Sequence, residues 1–423
     1  MRANSKYRNT AVVISVFVVM VFVFARCMSG GEKKEANGTV DFENYAGSEK
    51  CASCHSDIYK KHLHTAHYLT SQPADSNFIK GSFEKGNNVY SYSPVLNVAM
   101  EKRDSGFYQV VYYKNEEKMA MRFDIVIGSG VMGQSFITKR NNRFYQMPVT
   151  YFTAAEKWSS SPGFPENKVM VDRPVTARCM ECHATFAKGT GGTAMEPSSF
   201  EEDKMILGIG CERCHGPAAK HVEYQQKNPQ EKKGMYVVNP AGLSRQQQLD
   251  ICAFCHGGKI EKTKPSFSFM PGQRLEDYFA PNSLNQVAVS QEAEVHGNQY
   301  GLLRASKCFI KTNTLTCNTC HNSHQQERGD LQLYSSRCIT CHDTKAGNFK
   351  TATHSVVKTP EQNCISCHMP QQPSKAIAVF LEGGEDPVAS MIRSHFIGIY
   401  PETVKKMLSK DSTLFKTQKA NYN

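Results

Sequence analysis

Residues 317–342 read CNTCHNSHQQERGDLQLYSSRCITCH and contain two copies of the five-residue pattern C-x-x-C-H. The pattern occurs seven times in the 423-residue chain and uses 14 of its 16 cysteines. Histidine makes up only 15 of the 423 residues, so its presence after every C-x-x-C pair is not a coincidence. Residues at positions i, i+3 and i+4 share one face of a helical turn, so each copy brings two thiols and one imidazole to the same side.

This triplet is the signature of covalent c-type haem attachment, in which two thiols bond the porphyrin and the histidine binds the iron. Zinc ribbons need no histidine after each cysteine pair, and disulfide frameworks belong to short secreted domains. We therefore expect seven covalently attached c-type haems. Their thioether cysteines and proximal histidines are expected to be Cys51, Cys54 and His55; Cys179, Cys182 and His183; Cys211, Cys214 and His215; Cys252, Cys255 and His256; Cys317, Cys320 and His321; Cys338, Cys341 and His342; and Cys364, Cys367 and His368.

Eight histidines lie outside the motifs, and seven irons need seven further ligands if every haem is bound by two histidines. His221 and His324 follow their own motifs too closely to reach the opposite face of the same haem, so each is expected to serve a neighbouring haem. We expect His67 to be a ligand, together with one of His62 and His64. The candidate distal ligands are His62, His64, His67, His221, His296, His324, His354 and His395.

Three further residues are weaker candidates for a functional role. Met270 and Met369 are fallback axial ligands, although a methionine in an apolar stretch is more often a packing residue. Cys308, which lies outside the motifs, is expected to be a small buried residue rather than a reactive thiol.

The N-terminus predicts export. Arg2, Lys6 and Arg8 precede an uncharged apolar run at residues 11–25, which matches the length of a signal-peptide core and is short for a membrane span. Residues 1–27 therefore form an export signal, a lipoprotein signal with Cys27 as the lipidated residue, or an uncleaved anchor, and residues 28–46 form a flexible tether. The expected location is the periplasm or the periplasmic or outer face of a membrane. The net charge of +11 is scattered along the chain, so we expect no nucleic-acid partner.

The motifs divide the rest of the chain. Residues 47–80 form a first haem segment, residues 81–160 a β-rich region without haem, residues 170–400 a six-haem region, and residues 401–423 a short helix with a polar tail. Between about 88 and 150, β-rich runs broken by DSG and KNEE predict five or six strands. The expected fold is that of a multihaem cytochrome c, with mainly short α-helices and loops wrapped around stacked haems and a haem-free β-sheet insertion.

Several segments resemble the exported multihaem cytochromes related to the tetrahaem electron acceptor of hydroxylamine oxidoreductase. They are GSEKCASCHSDIYKKHLHTAHYLTS (47–71), IGCERCHGPAAKH (209–221), HGNQYGLLRASKC (296–308), LTCNTCHNSH (315–324), FKTATHS (349–355), NCISCHMP (363–370) and IRSH (392–395). The sheet segment and KWSSSPGFP (157–165) resemble a subset of such proteins. The resemblance implies electron transfer and a ligand role for His67, but the group also includes enzymes.

Two functions remain open. The favoured one is a periplasmic or membrane-tethered heptahaem cytochrome that transfers electrons in respiration along mostly bis-histidine haems, with a quinol oxidase complex, other cytochromes or a terminal reductase as partners. The alternative is an oxidoreductase that acts on a small nitrogen or sulfur compound at one haem with an open coordination position. The fourth motif favours the alternative, because no spare histidine is near it in the sequence and Lys259, Lys262 and Lys264 follow it. Because spare histidines are not in short supply, an electron carrier without catalytic residues is favoured.

Overall fold

The computed structural model of the protein describes residues 40–191, 196–258, 261–280, 294–342 and 363–408. All seven motifs lie within this part. The expected export signal, Cys27, most of the expected tether, Lys259, His354 and the tail after residue 408 lie outside it. From Asp41 onward the described chain forms one compact unit.

The described strands form three antiparallel sheets of nine, four and two strands. In chain order they are β1 (Ser71–Pro73), β2 (Val89–Ser93), β3 (Leu96–Arg103), β4 (Gly106–Tyr113), β5 (Glu116–Phe123), β6 (Ile125–Ile127), β7 (Gly133–Arg140), β8 (Arg143–Gln146), β9 (Val149–Phe152), β10 (Lys157–Ser160), β11 (Arg173–Val175), β12 (Ala184–Thr190), β13 (Ser199–Leu207), β14 (Gln371–Val379) and β15 (Val388–Arg393).

The four-stranded sheet is a meander in the order β2-β3-β4-β5. The DSG segment turns the chain from β3 into β4, and the KNEE segment turns it from β4 into β5. Lys114 and Asn115 at the second turn have φ values of 52° and 65°, the left-handed conformation that suits the twist of a tight hairpin. Val98 of this sheet packs with Phe136 and Val149 of the nine-stranded sheet in one buried cluster, so the two sheets share a core.

The nine-stranded sheet is larger than the sequence indicates. Its main path runs β1-β6-β7-β8-β13-β12, while β9 and β10 extend it from β7, and β11 pairs with β8. Eight strands, rather than five or six, lie between Val89 and Phe152, and they are divided between two sheets. The strands β12 and β13 lie between the second and third motifs, so the sheet continues into the region expected to be helical.

The helices are short and most of them carry or border a motif. They are α1 (Ser48–His62), α2 (Ala177–Glu181), α3 (Cys211–His215), α4 (Ala219–Lys227), α5 (Arg245–His256), α6 (Gln299–Arg304), α7 (Lys307–Lys311), α8 (Leu331–Ile339), α9 (Cys364–His368) and α10 (Pro401–Leu408). The fifth motif begins in a 3-10 helix, Cys317–Thr319. Among the described residues, none of these helices is long and apolar enough to span a membrane.

Candidate haem-binding sites

The geometry of the motifs fits covalent haem attachment. In α1, α3, α5 and α9 both cysteines and the histidine of a motif lie on one helix. All fourteen motif cysteines are free thiols, so none is committed to a disulfide. These four motifs therefore present two thiols and one imidazole with the helical spacing that haem attachment uses.

Second contacts orient most of the proximal rings. For His215, His256 and His368 the partner of Nδ1 is a carbonyl oxygen, so Nδ1 must donate and Nε2 is left as the unprotonated nitrogen that binds iron. His183 and His321 contact hydroxyl groups instead. The five contacts are His183 with Thr70 Oγ1 (3.2 Å), His215 with Val238 O (2.8 Å), His256 with Gln299 Oε1 (3.1 Å), His321 with Tyr334 OH (3.2 Å) and His368 with Gly398 O (2.7 Å).

Three spare histidines lie opposite proximal histidines of motifs other than their nearest one. Two imidazoles bound on opposite sides of one iron, with metal–nitrogen distances of about 2 Å, have ring centroids roughly 6 Å apart. The observed separations match this value. They are 6.2 Å for His67 and His256, 6.0 Å for His324 and His215, and 6.1 Å for His395 and His321.

Desolvation keeps two of these rings neutral. It lowers the pKa of His67 to about 4, with a smaller contribution from His256, and it lowers the pKa of His395 to about 4, with a smaller contribution from His321. The His67 side chain is exposed on one side, and the protein packed around its other sides supplies this desolvation. Because a neutral imidazole is the form that binds metal, both rings are ready to act as ligands at neutral pH.

The other spare histidines differ in their surroundings. His221 donates from Nδ1 to Met235 O at 2.8 Å, which leaves Nε2 as a candidate ligand atom. His296 is close enough to His183 and to His256 to lower the pKa of both rings, although burial is the larger cause for each. His64 is exposed, and His354 lies outside the described residues.

His62 is engaged elsewhere. It is buried, its Nε2 donates to Ile209 O at 2.9 Å, and its Nδ1 lies 3.4 Å from Thr65 Oγ1. With both ring nitrogens occupied, His62 acts as a hydrogen-bonded core residue. Of the three histidines in this segment, His67 alone stands opposite a proximal ring in the described structure.

The surroundings of the fourth motif differ from what its neighbouring sequence indicates. His67, which is distant in the sequence, lies opposite His256 with the two ring centroids 6.2 Å apart. Lys262 is not part of a solvated anion-attracting patch, because its side chain is buried in an ion pair with Glu181. Lys264 is exposed.

The remaining candidates are half-buried. Met270 and Met369 are both half-buried, and Met369 directly follows the proximal His368. Cys308 is half-buried on α7, and burial raises the pKa of its thiol, which makes it less reactive.

Thiol contacts show which motifs are neighbours. In each of four pairs, a motif cysteine lies close enough to a cysteine of another motif for the two thiols to interact. These contacts join the first motif to the third, the second to the fourth, the fourth to the fifth and the sixth to the seventh. The pairs are Cys51 with Cys211, Cys255 with Cys182, Cys252 with Cys317, and Cys338 with Cys364.

Two buried acidic residues hold the backbone at motifs in place through hydrogen bonds. The sequence analysis did not single out either of them. Glu212, inside the third motif, accepts hydrogen bonds from the backbone N–H groups of Ala46, Gly47 and Ala218. Glu327 pairs with Arg337 through two contacts of 2.7 Å and accepts from the N–H of Asn322, next to His321. An acidic residue between the cysteines of a motif was the available signal for Glu212, whereas nothing in the sequence marks Glu327.

Comparison with known proteins defines the class. Residues 144–216, which contain the second and third motifs, match the family described as cytochrome c554 and c-prime. Together with the motifs, this match and the similarity to OmcC given below support a multihaem c-type cytochrome with covalently bound haem.

Two particular proteins are similar to the chain. It is 25% identical over 214 residues to the C-type polyheme cytochrome OmcC of Geobacter sulfurreducens, a match that covers 45% of this chain and 25% of OmcC. The chain therefore spans about a quarter of the length of this relative. The crystal structure of the outer cell wall cytochrome OcwA aligns with a TM-score of 0.49 and 16% identity, over 86% of this chain and 81% of OcwA.

Proposed function

We propose that the protein holds seven c-type haems, one at each C-x-x-C-H motif, and passes electrons along them without a catalytic centre of its own. Covalently held haem supplies reversible one-electron chemistry. The protein supplies two thiols and a proximal histidine for each haem, the orienting contacts of those histidines, and distal histidines that close the second axial position. A haem closed on both sides transfers electrons and does not bind substrate.

The observation that carries this proposal is the set of three histidine pairs with ring centroids 6.0 to 6.2 Å apart. On this basis His324 serves the third motif, His67 the fourth and His395 the fifth. His296 lies near both His183 and His256, and because His67 already stands opposite His256, His296 is left as the candidate distal ligand of the second motif. His64, His221 and His354 then remain for the first, sixth and seventh motifs.

The contacts between motif cysteines support an order for the chain of haems. Motif one neighbours motif three, motif four neighbours motifs two and five, and motif six neighbours motif seven. His324 follows the fifth motif and lies opposite His215 of the third motif. It therefore connects the first and third motifs with the second, fourth and fifth. These contacts support the order one, three, five, four, two, in which the fourth motif lies between the fifth and the second.

The cellular role follows from haem chemistry and the N-terminus. Haem is attached to thiols outside the cytoplasm, and residues 1–27 have the composition of an export or lipoprotein signal. We therefore propose a respiratory electron carrier in the periplasm or on a membrane surface, tethered through Cys27 or an N-terminal anchor if that segment is retained. Its partners would be redox proteins such as other cytochromes, a quinol oxidase complex or a terminal reductase. A relationship with the electron acceptor of hydroxylamine oxidoreductase is part of the same proposal.

Two measurements on the purified holoprotein test this function. A pyridine haemochrome assay combined with intact mass is expected to give seven haems per chain. Electron paramagnetic resonance of the oxidised protein is expected to show only low-spin iron. A stoichiometric high-spin signal that shifts on addition of nitrite or hydroxylamine would overturn the carrier function in favour of the oxidoreductase.

A further inference from the structure

The side chains between the cysteines of three different motifs meet in one charged cluster. Glu181 comes from the second motif, Arg213 from the third and Phe254 from the fourth. Arg178 from α2 and Lys262, which follows α5, complete this group, which we call the Glu181 cluster. Its position between three motifs makes its net charge relevant to the haems held there.

The contacts fix the cluster firmly. Glu181 is fully buried and accepts hydrogen bonds from Lys262 Nζ and, at 3.1 Å, from Arg178 Nη1. Arg213 donates to the backbone carbonyl of Glu181 at 3.0 Å. A backbone bridge between Lys262 and Phe279 holds the lysine in place.

All three cations also face one aromatic ring. Arg213, Arg178 and Lys262 lie 4.5, 5.2 and 5.3 Å from the centre of Phe254, which is almost fully buried. Because the negative face of the ring favours nearby cations, Phe254 helps to hold them together despite their like charge.

The charges of the cluster do not balance. Arg178, Arg213 and Lys262 contribute three positive charges, and Glu181 contributes one negative charge. Both carboxylate oxygens of Glu212, the neighbour of Arg213, accept hydrogen bonds from backbone N–H groups. A surplus of positive charge in a desolvated site interacts strongly with any group nearby that changes its charge.

We propose that Lys262, Arg178 and Arg213 raise the reduction potentials of the haems attached at the second and fourth motifs, and that Glu181 positions the three cations. This rests on the proposed function, because it requires haem at both motifs. Reduction adds one negative charge to the haem, so a fixed cation nearby stabilises the reduced form. The proximity of Cys255 to Cys182 and the contact of Arg178 with Phe254 support one shared environment for both motifs. The haems at the second and fourth motifs would then retain electrons more strongly than a haem at the neighbouring fifth motif.

Lys262→Met tests the proposal in the holoprotein by spectroelectrochemical titration. For a unit charge about 10 Å from a haem and an effective dielectric constant of about 20, removal of that charge would change the reduction equilibrium roughly tenfold. One or two of the seven components should therefore move to lower potential, by about 59 mV for a tenfold change in a one-electron couple. Arg178→Met should shift components in the same direction, and it decides the question if Lys262→Met gives no folded holoprotein.

Two matched variants separate charge from structure. Lys262→Arg keeps the cation and should titrate like the wild type. Lys264→Met removes an exposed lysine two residues away and should also leave the titration unchanged. The proposal is overturned if Lys262→Met titrates like the wild type, or if Lys262→Arg shifts the curve as far as Lys262→Met does.

The haem count of the same preparations keeps this test separate from the proposed function. A count below seven contradicts the heptahaem function, while the direction of the Lys262→Met shift is still read from the haems that are present. Seven haems with no shift would overturn the role of the cluster alone.

Discussion

The imidazole of His67 lies 6.2 Å from that of His256, with the two ring planes inclined at 70°. His67 belongs to the segment that follows the first motif, and His256 closes the fourth motif at the end of α5. The two ends of this candidate ligand pair therefore come from the first haem segment and the six-haem region. If both rings bind one iron, the first segment is fastened to the fourth motif through that haem.

Replacement of His67 tests this relationship directly. His67→Ala should leave the iron at the fourth motif with one protein ligand and so convert one haem per chain from low spin to high spin. Electron paramagnetic resonance of the oxidised protein would measure this change, with six low-spin haems remaining.

His62→Gln is the matched control for His67→Ala. His62 lies in the same segment but is hydrogen-bonded through Nε2 to Ile209 O, so this variant should keep the low-spin spectrum of the wild type. A new high-spin haem in His62→Gln, or an unchanged spectrum in His67→Ala, would contradict the assignment.

The other two pairs predict independent changes. His324→Ala and His395→Ala should each create one high-spin haem, and the double variant should create two, because the pairs end at different motifs, at His215 and His321. Spin quantitation of the single and double variants checks this. If both single variants convert the same haem from low spin to high spin, the separate assignments are wrong.

The motifs, and with them the expected attachment cysteines and proximal histidines, are readable from the sequence because their chemistry lies within five consecutive residues. The ligand pairing is not readable, since His67 and His256 meet only through tertiary structure. Sequence distance even misleads at the fourth motif, which has no spare histidine nearby in the chain but has His67 beside it in space.

The sheets, too, can be predicted from the sequence only in part. Regular alternation and clear turns mark β3 to β5, and the turns lie where DSG and KNEE predict them. The pairing of β12 with β13 contains register shifts after Ala184 and after Ala187, and β12 ends in Gly189 and Thr190, the first two residues of the GTGGT turn signal. Irregular strands of this kind lack the alternation on which a sequence prediction depends, so the extension of the sheet beyond the second motif was missed.

Protonation of Glu327 in acid should lower the free energy of unfolding of the protein. The Arg337 guanidinium holds the pKa of this carboxyl at about 2, well below its ordinary value of 4.5, and the side chain is only 3% exposed. A lowered folded-state pKa stabilises the fold above pH 4.5, and this contribution, about 3 kcal/mol at pH 7, is lost as the pH falls towards 2. Glu327→Gln should therefore lower the free energy of unfolding at pH 7 by up to that amount. Guanidinium denaturation followed by circular dichroism at several pH values would measure the difference.

Glu223→Gln provides the comparison for Glu327→Gln. Glu223 pairs with Lys227 on an exposed face of α4, where solvent screens the interaction, so its removal should leave the stability unchanged. The expectation for Glu327 fails if the gap between the wild type and Glu327→Gln is as wide at pH 2 as at pH 7.

Glu212 should fasten the start of the described chain to the third motif. Its buried carboxylate receives the N–H groups of Ala46 and Gly47 at 2.8 and 2.9 Å, and that of Ala218 at 2.8 Å. Glu212→Gln replaces one acceptor oxygen with a donor, so at least one buried N–H loses its partner at a cost of about 1 to 3 kcal/mol. Hydrogen exchange should become faster at Ala46 and Gly47 before it changes in the sheets.

Glu43→Gln, which alters an exposed acid in the same segment, should leave these amides protected. Equal protection in the wild type and Glu212→Gln would mean that the contact between the first and third motifs, seen between Cys51 and Cys211, is held by other groups.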